Sequence, residues 1–192
     1  MRLLASLTAT ALLAAACGGT AAAPSPTVAP TTAPTTAPTP TPAPTPQLKY
    51  TFLADLKTTN EVPPIANAEA GCSGKGTFVL NTTKDSTGKI TAATADFDFS
   101  VAGCPANTGL TLFHVHKAAT GVNGSPVVTG KGDAANPIAL ATGATASNIT
   151  RTGITVDPAV ANDIITGPSG YYFNVHSTTN GGGVIRGQLA AG

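Results

Sequence analysis

The chain contains three histidines, His114, His116 and His176, and each lies in an apolar, strand-like run. Two form Phe113-His114-Val115-His116, and the third ends Tyr171-Tyr172-Phe173-Asn174-Val175-His176. On a strand, residues i and i+2 share a face and lie roughly 6.6 Å apart along the chain. His114 and His116 can therefore reach one ion, and His176 shares a face with Tyr172 and Asn174. Should the two strands be neighbours, three imidazoles converge. Neutral imidazole suits copper and zinc, and three histidines with a free position form a catalytic-type arrangement. The rival reading is a polar cluster in which the ring nitrogens bond backbone carbonyls. Arg186, in Val184-Ile185-Arg186-Gly187-Gln188-Leu189, belongs to that cluster together with Asn174, and its charge works against a bound cation. Glu61, in Asn60-Glu61-Val62-Pro63-Pro64, is a loop carboxylate placed to pair with Arg186 or to cap a turn.

No other constellation carries chemistry. There is no Gly-x-Ser-x-Gly elbow, and no phosphate loop or His-Glu-x-x-His motif. Asp96 and Asp98 share one strand face and read as a solvated edge rather than an acid/base pair.

The elements that must position the histidines read as strands. Tyr50, Phe52, Ala54 and Leu56 share one side of a strand, and Ala95, Phe97, Phe99 and Val101 alternate with polar residues within 89–101. Period-two alternation indicates half-buried antiparallel strands. Residues 75–80, 110–117, 126–129, 138–141, 149–156, 171–177 and 184–189 supply the others, with 81–88 closing a hairpin. One short helix is predicted at 158–165, with Asp157 as N-cap, Pro158 at its first position and Gly167 as its stop. Short strands separated by Gly/Asn/Pro turns predict an all-β domain, an antiparallel Greek-key-like β-sandwich or barrel with at most one short helix.

All nine aromatic residues fall between Tyr50 and Phe173, so the globular domain spans 48–192, with its core ending near Leu189. Before it, residues 21–47 carry nine prolines among Thr and Ala. Proline fixes φ and removes a donor, so 17–47 reads as a disordered, extended linker reaching up to roughly 80 Å. Residues 1–16 have a positive start and a short apolar stretch, as a signal peptide does. The small residues before Cys17 resemble a bacterial lipobox, which implies that Cys17 is lipidated and anchors an exported domain to a membrane on its periplasmic or cell-surface side. Cys72 and Cys104 then remain, and an oxidising compartment favours a disulfide between them over a shared metal.

The 192 residues include 10 Lys+Arg and 9 Asp+Glu. That near-neutral balance provides no basic stripe for nucleic acid and no polybasic membrane patch. Partners are thus the membrane, through the lipid, and a protein or envelope ligand.

Four segments, read in order, carry a resemblance. They are Phe52–Leu56 with Asn60-Glu61-Val62-Pro63-Pro64; His114-Val115-His116 leading to Gly121-Val122-Asn123-Gly124-Ser125-Pro126; Tyr172-Phe173-Asn174-Val175-His176-Ser177; and Gly182-Gly183-Val184-Ile185-Arg186-Gly187-Gln188-Leu189. Together they resemble the CHRD domain, named from chordin and also present in bacterial secreted proteins. The resemblance implies a β-rich extracellular module with no established enzymatic activity, used for binding or for building the envelope. Two positions depart from the pattern: Ala118 stands where a Gly usually follows the His pair, and Val184 where an acidic residue often precedes Ile-Arg-Gly. A local likeness joins Phe113-His114-Val115-His116 to the copper-ligand strand of Cu/Zn superoxide dismutase. A bridging histidine and zinc ligands have no counterparts here, so this likeness implies a mononuclear copper or zinc site rather than dismutation.

Overall fold

The computed structural model describes residues 47–140 and 145–192. The expected signal peptide, the lipidated Cys17 and nearly all of the linker lie outside these residues. Ten strands form one antiparallel sheet: β1 (Gln47–Lys57), β2 (Ser73–Lys84), β3 (Ile90–Ala102), β4 (Gly109–Lys117), β5 (Ser125–Thr129), β6 (Ile138–Ala139), β7 (Thr145–Val156), β8 (Tyr171–Ser177), β9 (Ile185–Gln188) and β10 (Ala190–Ala191). Their order is β5-β4-β8-β9-β1-β2-β3-β7, with β10 added to β1 and β6 to β4. Among the described residues no helix is long and apolar enough to cross a membrane.

The sheet curls until it nearly closes into a barrel. Its first three strands run as a meander, in which Phe52 lies opposite Phe78 and Phe78 opposite Phe97. Phe97 and Phe99 of β3 then meet Phe113 of β4 and Phe173 of β8, ring centroids 5.0–5.5 Å apart, although neither strand adjoins β3 in the sheet. Those contacts therefore cross the barrel interior. Edge-to-face and tilted packing at such distances adds about 0.5–1.5 kcal/mol per pair beyond area burial. Near the gap between the edge strands, Arg151 Nε on β7 donates to the carbonyl of Lys131, just beyond β5, at 3.2 Å.

The predicted period-two faces are present: Phe52, Ala54 and Leu56 are buried, as are Ala95, Phe97, Phe99 and Val101. Several strands are longer than expected, because pairing continues past the last apolar residue. The strand expected over 138–141 is shorter, ending at Ala139. The helix α1 (Pro158–Thr166) forms where predicted. The Asp157 carboxylate accepts from the N–H groups of Ala159 and Val160, and Ala161 and Ile164 bury its inner face.

Cys72 and Cys104 are disulfide-bonded, with Cα atoms 4.4 Å apart. They flank the paired ends of β2 and β3, where Ser73 faces Ala102. The chains are pressed together there: Gly103 adopts φ +72°, and a Cβ on it would stand 2.3 Å from the carbonyl oxygen of Gly71. The bridge closes a loop of 32 residues, which on the chain-entropy estimate stabilises the domain by about 3–4 kcal/mol. Replacing both cysteines by serine should lower the urea midpoint by the equivalent of about 3 kcal/mol, and a reductant should shift the wild type but not the double variant. Equal midpoints for wild type and variant would show that the bridge adds nothing.

Candidate functional site

Strands β4, β8 and β9 lie side by side, and their register sets the site. His114 pairs with Asn174, and Asn174 pairs with Arg186; His116 pairs with Tyr172, and Tyr172 with Gln188. Because side chains alternate, Phe113 and Val115 on β4 and Phe173 and Val175 on β8 enter the core, while His114, His116, Tyr172, Asn174, His176 and Arg186 occupy the opposite face. That face is also covered. Every residue of β8 is buried, and the three histidines are only 7–9% exposed. Loops around residues 58–71, 118–124 and 178–183 roof them.

The backbone of that roof orients the rings. His116 Nδ1 lies 2.9 Å from the Gly124 carbonyl oxygen, and His176 Nδ1 lies 2.9 Å from that of Gly181. A carbonyl only accepts, so both Nδ1 atoms carry the proton and both Nε2 atoms keep a lone pair. His176 Nε2 is 3.0 Å from His114 Nδ1. His116 Nε2 is buried and has no hydrogen-bond partner. One ligand nitrogen from each of the three rings lies within 4.8 Å of the others. Metal–nitrogen bonds of about 2.0–2.1 Å require the widest pair to close by about 1 Å.

The electrostatics favour neutral, ligand-ready imidazoles. Burial pushes the His114 pKa down to about 4, helped by His176 and then His116. Burial also lowers His116, where the Gly124 bond opposes the shift and the charges of His176 and Arg186 add to it. His176 is lowered by burial against the raising effect of Gly181.

Arg186 does not touch the histidines. Its guanidinium carbon sits 4.6 Å above the Tyr172 ring, and that ring stacks on His116 at 4.8 Å with an 11° interplanar angle. The Tyr172 hydroxyl accepts from the Gly124 N–H at 3.2 Å, so tyrosine and histidine share one anchoring residue. Of the two roles open to Glu61, pairing with Arg186 or capping a turn, the first is not met by a direct ion pair among the described residues, although Arg186 attracts the carboxyl at longer range. Arg186 donates to the Asn60 carbonyl at 2.5 Å and to Asn123 Oδ1 at 2.8 Å, so the loop offers it neutral acceptors, one of them the backbone next to Glu61. Glu61 is buried with Oε1 unpartnered, as is Asn174 Oδ1. Its pKa is raised by burial to about 7, with Arg186 pulling the other way. Both side chains crowd Gly183, which has φ +134° and no room for a Cβ. A cleft of about 590 Å³ opens beside them, lined by Glu61, Pro63, Pro64, Asn123, Asn180 and Gly183 among others.

The structure thus gathers His114, His116, His176, Asn174 and, one layer behind, Arg186, with Glu61 at the cleft. Asp96 and Asp98 lie elsewhere and tie strands together: Asp96 accepts from Asn81 and the Gly153 N–H, and Asp98 from Thr150. The sequence reading missed the bracing of the 178–183 loop. Buried Glu69 accepts from Ser177 Oγ and Asn180 Nδ2, both at 2.5 Å, and so holds the loop that presents Gly181. It also missed the Arg186–Tyr172–His116 stack, whose only sequence signal was that Tyr172 shares the face of His176.

The pKa shifts define two pH windows of opposite sign. The three imidazoles hold protons less readily when folded than their ordinary value of 6.5 implies, so their contribution is complete above 6.5 and is lost at lower pH, for His114 as pH falls through about 4. Glu61 runs the other way: its contribution is complete below its ordinary 4.5 and is lost as pH rises through about 7. The urea midpoint should fall from pH 6.5 to 4, less steeply in His114→Phe. Glu61→Gln should remove a loss between pH 4.5 and 8. A midpoint that stays flat from pH 6.5 to 4 in Glu61→Gln, which lacks the opposing carboxyl contribution, would refute the assignment of buried neutral histidines.

No curated protein and no solved structure matches the chain. The CHRD domain family matches residues 52–189, which is most of the chain and includes every residue of the histidine site. The chain therefore belongs to the CHRD-domain family.

Proposed function

We propose that the chain is an exported, lipid-anchored CHRD module that holds one copper or zinc ion between His114, His116 and His176 and serves a binding or envelope-building role rather than catalysis. The observation that carries the metal reading is the buried, unpartnered lone pair of His116 Nε2, beside the His176 Nε2 that accepts from His114. Two backbone carbonyls fix the Nδ1 protons of His116 and His176, and His116 Nε2 is left buried without a partner. A buried acceptor with no donor is costly, and an ion of the copper–zinc class satisfies it. Copper and zinc both accept neutral imidazole nitrogen. Three protein ligands leave a coordination position free, and the roof over the histidines, each only 7–9% exposed, keeps a bulky substrate from reaching it, which supports a holding role.

The purified domain should bind one equivalent of copper, seen by titration and by metal analysis after desalting. His116→Ala and His176→Ala should lose stoichiometric binding while keeping the wild-type circular dichroism spectrum. Tyr172→Leu, which removes an outer support, should weaken binding about 10–100-fold. A wild type that retains neither copper nor zinc would end the metal reading.

The anchor rests on the small residues before Cys17 and on the proline-rich stretch that follows. A single chain holds a membrane only marginally, so a stable anchor takes more than one. Labelled palmitate should enter the full-length protein in a bacterial host and be absent from Cys17→Ser. Equal labelling of both would remove the anchor from the proposal.

A further inference from the structure

The ligand set and its surroundings carry a charge argument that goes further than the proposed metal site and rests on that reading. The three ligands are neutral imidazoles, and the group includes no carboxylate or thiolate. An ion bound there keeps its full formal charge in a buried place, at a cost that rises steeply with that charge. Arg186 adds to this. Its guanidinium is itself buried, 3% exposed, and none of the described ion pairs includes it. Its acceptors are the Asn60 carbonyl, the Asn123 side-chain oxygen and, at 3.4 Å, the Val122 carbonyl, all neutral, and the one carboxyl it attracts, Glu61, is held back from ionising by burial, so its positive charge is solvated and at most partly offset. Tyr172 is the only layer between it and His116: the cation stands 4.6 Å from the phenol ring, and that ring 4.8 Å from the imidazole. A positive charge so placed opposes a divalent ion twice as strongly as a monovalent one.

We propose that the site selects by ionic charge: Arg186, stacked on Tyr172 behind His116, makes the three-imidazole pocket a receptor for monovalent copper that discriminates against divalent zinc and copper. Arg186 is a positioning and selectivity residue, not a ligand. Monovalent copper also accepts a ligand set of three neutral nitrogens with no anion.

The test is the ratio of Cu⁺ to Zn²⁺ affinity, each ion titrated separately against a competing chelator, with Cu⁺ under anaerobic conditions. At about 9 Å and an effective dielectric of about 20, one added unit charge changes an affinity by about twentyfold. Arg186→Met should lower the Cu⁺/Zn²⁺ ratio about twentyfold, chiefly by strengthening Zn²⁺ binding, and Arg186→Lys should keep the wild-type ratio. Glu61→Gln provides an independent arm should Arg186→Met not fold. Measured at pH 8, it removes a negative charge that attracts Arg186 and should raise the ratio. A ratio unchanged in Arg186→Met, or lowered equally in Arg186→Lys, would overturn the charge mechanism, as would a ratio unmoved by Glu61→Gln. Failure of the wild type to bind either ion would overturn the metal reading itself. Tight but unselective binding, with no change in any variant, would leave that reading intact and refute only the selection.

Discussion

Strand β8 is buried on both faces, and the rest of the molecule is arranged around that constraint. Its inner face, Phe173 and Val175, completes an aromatic core fed by β3 and β4. Its outer face, Tyr172, Asn174 and His176, cannot be left as bare polar groups under a roof, because a buried donor or acceptor without a partner costs about 1–3 kcal/mol. Each polar group on that face therefore needs a partner from the loops, and each of these loops is in turn held by another contact. Gly124 serves two side chains at once, through its carbonyl to His116 and its N–H to Tyr172. Glu69, buried at 3% exposure, braces Ser177 and Asn180 on either side of the turn that presents Gly181.

Two kinds of information were needed to build this face, and only one is local. Alternation is local, so the inward and outward residues of β1, β3, β4 and β8 can be read from the chain, as can the Asp157 cap and the Gly167 stop of α1. Register and closure are not local. Nothing in the HVH or NVH segments alone states that His114 lies opposite Asn174, or that β9 brings Arg186 into the same row. Those facts follow from which strands become neighbours, and that is decided by burial of the aromatic core as a whole. The single curled sheet was likewise hidden, because a sandwich and a barrel have the same strand periodicity and differ only in whether strands like β9 bridge the two halves. Glu61 illustrates the limit well. Its type and loop position suggested a pair with Arg186, yet the arginine takes the carbonyl of the preceding residue, a contact that side-chain identity cannot foretell.

The backbone acceptors had the weakest sequence signal and have the largest effect. A histidine tautomer is set by the partner of its other nitrogen, and here those partners are peptide carbonyls in glycine-rich turns, 121–124 and 180–183. Glycine matters there for a steric reason: at Gly183 a Cβ would stand 2.5–2.8 Å from Asn174 and Glu61. A turn that passes so close over a polar face can bring its carbonyls within hydrogen-bond reach of the rings beneath, and it does so without a side chain that would mark the site in the sequence.

The same arrangement links holding an ion to holding the fold. The Nδ1 protons of His116 and His176 are held by backbone carbonyls, so both Nε2 atoms are acceptors; His176 Nε2 takes the His114 Nδ1 proton at 3.0 Å, while His116 Nε2 has no donor, a cost the metal-free domain bears. Anything that binds the folded form alone stabilises it in proportion to the logarithm of its concentration over its dissociation constant. An ion at this point would connect β4 to β8 on the outer face, as the aromatic cluster connects them on the inner one, and would tighten the two glycine turns through the rings they grip. The disulfide acts on the far side of the sheet order, between β2 and β3. Entropic bridging there and ligand bridging at β4–β8 therefore restrain different parts of a sheet whose edge strands are not paired to each other. That is the mechanical sense in which a nearly closed barrel would benefit from an ion at the proposed site, which its core does not require.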